Sequence, residues 1–221
     1  MDWTALGLSA RLGVATVVIL LPLAFVLARV LAYRRFRGRG FVEALVALPL
    51  ILPPTVVGYY LLIAFGLGSE AGRLFERVLG HTLAFSFEGL VAASVIVNLP
   101  FAVQPIQNAL LAIPANVRDA ARCCGLAPWR VVRHIELPLA LPGIATALVL
   151  TFAHTLGEFG VVLMVGGGIP GETQTVSIAI YDRMQAFDEQ AAGAMALVLL
   201  VLSILALGIA NTLARGGRRL D

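Results

Sequence analysis

Three groups of residues have types and spacings from which chemistry could be built. His154 and Glu158 stand four apart, so a helix would put both on one face, where an imidazole and a carboxylate could begin a metal site. Arg118, Arg122, Arg130 and Arg133 surround Cys123-Cys124 and Gly125, a basic cluster that could touch anionic lipid or a protein partner. Thr55, Tyr59, Asn98, Gln104, Thr151 and Thr155 are neutral polar groups near or within long apolar stretches. Catalytic readings close quickly. No HExxH pattern or third ligand accompanies His154 and Glu158, and His81 and His134 read as surface residues. Two adjacent cysteines build neither a disulfide framework nor a four-ligand metal site, and they read as reduced packing residues. A GxxxxGK[ST] phosphate loop is missing too. No catalytic, cofactor-binding or metal residue is assigned, which leaves recognition and passage.

The elements that must position these groups are set by composition. Of 221 residues, 59% are hydrophobic and 13% charged, against roughly 45–50% and about 25% in an ordinary soluble domain. A soluble enzyme, a secreted module and a disordered tail are thereby excluded. Five apolar stretches run near Leu12–Tyr33, Val42–Phe65, Leu90–Leu111, Leu141–Val165 and Ala191–Ala214. Each matches the ~20 residues that cross a bilayer, and none alternates as a barrel strand would, so the fold class is all-α and polytopic, with about five transmembrane helices. A single domain over residues 1–221 is expected. The first stretch is too long for a signal-peptide core and should stay in the mature protein. The tail after the fifth leaves no room for a regulatory domain.

The net charge of +3 comes entirely from arginine on the basic side, since lysine is absent. Clusters at 34–39, 118–133 and 215–219 follow the first, third and fifth stretches and hold eleven arginines, against four on the other side. The positive-inside rule therefore predicts an external N-terminus and a cytoplasmic C-terminus, with Arg29 snorkelling at the inner end of the first span. The surplus charge is not a nucleic-acid surface. Spans two and four carry Pro49, Pro53, Pro54 and Pro142, so kinks with polar atoms at depth are expected. Residues 177–187 have helical spacing suited to a short helix on the outer surface.

The longest internal loop, about residues 112–140, contains a helix-forming run to Cys124, Gly125 placed to end it and Pro128 placed to start another. Two short helices in a compact cytoplasmic knob are predicted. Leu126, Trp129, Val132 and Ile135 then need a partner to cover them. The pattern Asp119-Ala120-Ala121, three residues, Gly125, nine residues, Ile135, one residue, Leu137-Pro138 resembles the EAA loop of ABC importer permeases, with Asp for the usual Glu. The runs from Ala47 to Tyr60, Thr155 to Gly160 and Ile169 to Thr175 resemble bacterial molybdate permeases within an oxyanion group that includes tungstate and sulfate permeases.

That resemblance implies a type I ABC importer permease fold in the bacterial inner membrane. It also implies coupling helices that dock on an ATPase subunit through Asp119, Ala120, Ala121, Gly125, Ile135, Leu137 and Pro138. The expected partners are two ATPase copies, a periplasmic or extracellular oxyanion-binding protein, a second copy of the chain and membrane lipid, with no nucleic acid. Hydrolysis would reside in the ATPase, making this a non-enzymatic subunit. A translocation path is expected along Pro53, Pro54, Thr55, Tyr59, Thr155, Gly157 and Glu158. A divalent oxyanion needs neutral donors and not a cationic trap from which it could not leave. Glu158 is read either as a gate residue bonded across the dimer or to a backbone amide, or as an interfacial carboxylate facing water. A passive anion channel and a membrane metalloprotease or haem subunit are the readings from other classes. The docking loop argues against the first, and the single histidine within a span against the second.

Overall fold

The computed structural model describes residues 2–216, and every regular element among them is helical. Arg218 and Arg219 of the third arginine cluster lie outside the described residues. Helix α1, Trp3–Tyr33, starts well before the expected Leu12. Asp2 explains the difference, because its carboxylate accepts from the Ala5 amide at 3.0 Å and caps the first turn.

The second stretch is broken outright. Helix α2, Arg39–Ile51, and helix α3, Pro54–Phe65, meet at 112° in place of the kinked single span expected over Val42–Phe65. Pro53 and Pro54 lack amide donors, and a proline pushes the residue before it out of the helical region, so Leu52 and Pro53 are extended with ψ of 139° and 136°. Pro54 then opens α3, where a missing N–H costs nothing. Helix α4, Glu70–Leu79, is capped by Ser69, whose hydroxyl accepts from the Gly72 amide.

The third stretch also bends, which the sequence reading did not foresee. Helix α5, Phe87–Val97, and helix α6, Leu99–Leu111, meet at 42° around Asn98. Pro100 stands in the first turn of α6, and the Asn98 side chain donates to the Ser94 carbonyl at 2.8 Å.

Helix α7, Ala115–Cys123, precedes a long helix α8, Pro128–Gly157, which contains a π turn at Val132–Glu136. The fourth span is thus shifted toward the N-terminus of the expected Leu141–Val165. It stops at Glu158-Phe159, and a separate helix α9, Gly160–Gly166, follows. Helix α10, Val176–Gln185, and helix α11, Glu189–Gly216, complete the chain. Three helices, α1, α8 and α11, are long and apolar enough to cross a membrane, and five spans result when each bent pair counts as one.

Helices α1, α6 and α8 form the centre. Leu20, Ala24, Ala28 and Leu31 of α1 pack with Val103, Ile106 and Leu110 of α6 and with Ala140 and Ala147 of α8. Small residues at these contacts let the backbones approach closely, which is how helices associate where apolar side chains gain nothing from leaving lipid. The short helix expected on the outer surface is α10, buried along its first turn and exposed from Tyr181 to Gln185. In α10, Val176 and Ala179 pack with Ala5 and Met195, Ile178 packs with Leu12 and Leu90, and the Val176 amide donates to Ser9 Oγ at 2.8 Å.

Candidate functional site

Residues 115–138 form an exposed segment at one end of the bundle. Gly125 has φ of +75°, a conformation that side-chain-bearing residues rarely adopt, and the Leu126 amide reaches back to the Ala121 carbonyl at 3.2 Å to close α7. Pro128 begins the second arm as expected, but that arm is not an independent short helix. It is the start of α8, so whatever moves Pro128 moves a membrane span with no intervening loop. Asp119, Ala120, Gly125, Leu137 and Pro138 are exposed, Ile135 is half-buried and Ala121 is buried. Trp129 is 59% exposed, beside half-buried Leu126 and Val132. Cys123 and Cys124 are exposed, not packed.

Beneath this surface lies an ionic contact that the sequence reading missed. Arg29 of α1, expected to snorkel at the inner end of the first span, grips Glu136 in the π turn: Nε to Oε2 is 2.5 Å and Nη2 to Oε1 is 3.4 Å. Glu136 is 1% exposed. One helical turn on from Arg29, Tyr33 donates from its hydroxyl to the Leu110 carbonyl at 2.7 Å, and the Arg118 guanidinium of α7 lies 3.7 Å from its ring centre. The only hint in the sequence was a lone carboxylate directly ahead of an apolar run. Its partner stands 107 residues away.

At the other end the break at Glu158 gathers neutral groups. Glu158 is buried, and its Oε1 accepts from the Val161 amide at 3.0 Å, capping α9, while its carbonyl accepts from Ser177 Oγ at 2.6 Å. His154 Nε2 lies 3.8 Å from the second carboxylate oxygen, and its Nδ1 is 3.2 Å from Asn98 Oδ1. Asn98 Nδ2 also reaches Thr155 Oγ1 at 3.1 Å, and Thr155 donates to the Thr151 carbonyl. The His154 ring stacks on Phe101 with centres 4.1 Å apart. Among the described residues no three histidine, cysteine or acidic side chains come together as a metal group would require.

The expected path residues are brought only partly together. A Cβ at Gly160 would lie 2.8 Å from the Pro54 side chain, so the start of α3, with Pro54 and Thr55, abuts the break after Gly157 and Glu158. Tyr59 is 51% exposed one turn further along α3, whereas Thr155 is fully buried within the Asn98 network. A cavity of about 510 Å³ opens between α6 and α8, lined by Gln104, Asn108 and Thr146 among apolar residues that include Phe101, whose ring stacks on His154. Gln104 was foreseen as a neutral donor, and Asn108 was not.

Broken spans surround a small-residue centre, and a glycine-turned exposed segment runs directly into a span. Residues 20–219 match the family model described as binding-protein-dependent transport system inner membrane component, and the chain belongs to that family. It is 44% identical over 206 residues to the molybdenum transport system permease protein ModB of Azotobacter vinelandii, covering 93% of this chain and 91% of that one. It is 37% identical over 218 residues to ModB of Escherichia coli (strain K12), covering 98% and 95%. The fold is shared with the bacterial ABC transporter involved in import of the acidic polysaccharide alginate, with a TM-score of 0.71 at 19% identity, covering 99% of this chain and 79% of that one.

Proposed function

We propose that this permease carries molybdate inward, as one of two copies that line a shared path, each docked on an ATPase and fed by an external oxyanion-binding protein. The observation that carries the reading is the segment 115–138: an exposed surface of apolar and largely basic side chains, turned at Gly125, whose second arm is a spanning helix. Trp129, Leu137 and Asp119 supply a face for the ATPase, and closure of two ATPases would swing α8 without a slack linker. The molybdenum permeases at 44% and 37% identity support the choice of substrate.

The polar groups suit an anion that must leave again. Thr55, Tyr59, Gln104, Asn108 and Thr146 offer neutral hydrogen bonds, and the one acid at the break, Glu158, is occupied in capping α9. Selection then falls to the external protein. The N-terminus lies outside and the C-terminus in the cytoplasm, which puts residues about 112–140 on the ATPase side.

Reconstitution with a cognate ATPase and binding protein in proteoliposomes tests this. ATP-dependent molybdate uptake is expected, with tungstate and sulfate as competitors to rank the oxyanions. Equal uptake without ATP would replace the importer with a channel. For orientation, Glu70→Cys should label from outside cells while native Cys123 and Cys124 stay protected; the reverse pattern inverts the topology.

A further inference from the structure

We propose that the inner end of α1 is a clamp that makes both arms of the ATPase-facing segment move as one body, and that Arg29 and Glu136 are positioning residues for coupling. This rests on the reading above that residues 115–138 meet an ATPase. The observation is a juxtaposition of four elements. Arg29 and Tyr33 stand one turn apart on α1 and so share a face. Arg29 holds the π turn of α8 through a two-point contact to Glu136, and Tyr33 holds α7 through the Arg118 guanidinium and α6 through the Leu110 carbonyl. The two arms, α7 before Gly125 and α8 after it, are thereby tied to the same helix. Without such a tie, a force on Trp129 or Asp119 would be absorbed by rotation about the exposed Gly125 turn, where a Cβ would meet nothing within 4 Å.

The π turn explains how a carboxylate reaches this place. The buried positions of α8 are Val131, Glu136, Ala140, Gly143, Ala147, Thr151 and Thr155, with Leu156 added at the last turn beside the break. From Glu136 to Thr155 the intervals are four and three residues, as a helix facing a core requires, but from Val131 to Glu136 the interval is five. The extra residue lets both Val131 and Glu136 face inward. In unbroken α register, the position facing the core after Val131 would be His134 or Ile135, and Arg29 would have no acid to hold. The π turn and the buried pair are therefore one device.

Two features separate this from ordinary packing. Glu136 is almost fully buried, while Arg29 keeps a third of its side-chain surface exposed, so the pair sits where a shift of α8 against α1 changes its solvation. The Arg118 Nε is buried with no hydrogen-bond partner, so the ring of Tyr33 is the contact the structure gives to that side of the guanidinium.

The test uses the full complex in proteoliposomes, comparing wild type with Arg29→Met/Glu136→Met, which removes both charges and fills the site without leaving either group orphaned. A second variant, Tyr33→Leu, cuts the other limb. Association with the ATPase is measured by co-purification, and uptake per ATP hydrolysed is the readout that a purely structural role would not move. The double variant is expected to retain ATPase association within twofold and to hydrolyse ATP, yet to carry at least tenfold less molybdate per ATP. Tyr33→Leu should lower the same ratio by about threefold. An unchanged ratio in the double variant overturns the clamp. So does loss of uptake that tracks lost ATPase association or lost thermal stability alone. A wild-type complex that takes up no molybdate would instead remove the proposed function, so the two failures are distinguishable.

Discussion

The two ends of the permease solve opposite problems with different chemistry. At the Gly125 end, charge is used where it can be gripped: a buried carboxylate held by a guanidinium, a second guanidinium over a tyrosine ring, and apolar side chains left exposed. At the Glu158 end, hydrogen bonds among Asn98, His154 and Thr155 meet at a helix break, and the acid there is spent on a backbone cap. An ion pair whose carboxylate is fully buried is stiff, because separating it would leave that charge unpaired in low dielectric. A chain of amide, imidazole and hydroxyl contacts can exchange partners at smaller cost. Under the proposed coupling, one end would receive force without yielding and the other would bend when the force arrives.

The largest test of that contrast is Arg29→Leu, which leaves Glu136 buried and unpaired. A loss of about 3–5 kcal/mol is expected, seen as a large fall in melting temperature in detergent; a change below about 1 kcal/mol would mean the pair carries no stiffness. Next, Asn98→Leu strips partners from Thr155 and His154 and should cost about 1–3 kcal/mol. Because it acts at the bending end, it should also raise proteolysis near residues 157–160, and unaltered cleavage there would count against a hinge. Gly125→Val forces a branched side chain into φ of +75°, at roughly 1–2 kcal/mol of local strain. A Cβ there would meet nothing within 4 Å, so melting should shift little while uptake falls; normal uptake and ATPase association would remove the coupling assignment. The smallest effect on stability is predicted for Trp129→Ala, within about 0.5 kcal/mol because the ring is exposed. Weaker ATPase binding should be its only consequence, measured by titration of the ATPase onto the purified permease.

How much of this was legible follows from which forces are local. Hydropathy placed five spans because each apolar run has to satisfy the bilayer by itself, and glycine and proline marked the turn at 125–128 because their backbone limits act at the residue. The Pro53-Pro54 break was signalled but underestimated, since two prolines stop a helix where one bends it. The bend at Asn98 was missed because a single Leu-Pro step inside an apolar run carries little weight, and the contact of the Asn98 side chain with the Ser94 carbonyl leaves no mark in the sequence. The clamp lay beyond sequence reasoning altogether. Arg29 and Glu136 belong to different spans, and a π turn, which has no compositional mark, decides that the acid faces inward.

The exposed Cys123 and Cys124 have a practical meaning. They are the only two thiols in the chain, and both sit at the end of α7 beside the turn proposed to meet an ATPase. The native protein thus carries its own footprinting probe: the rate of alkylation by a bulky maleimide should report occupancy of that surface directly, and its change through an ATP cycle would time docking and release without an engineered label.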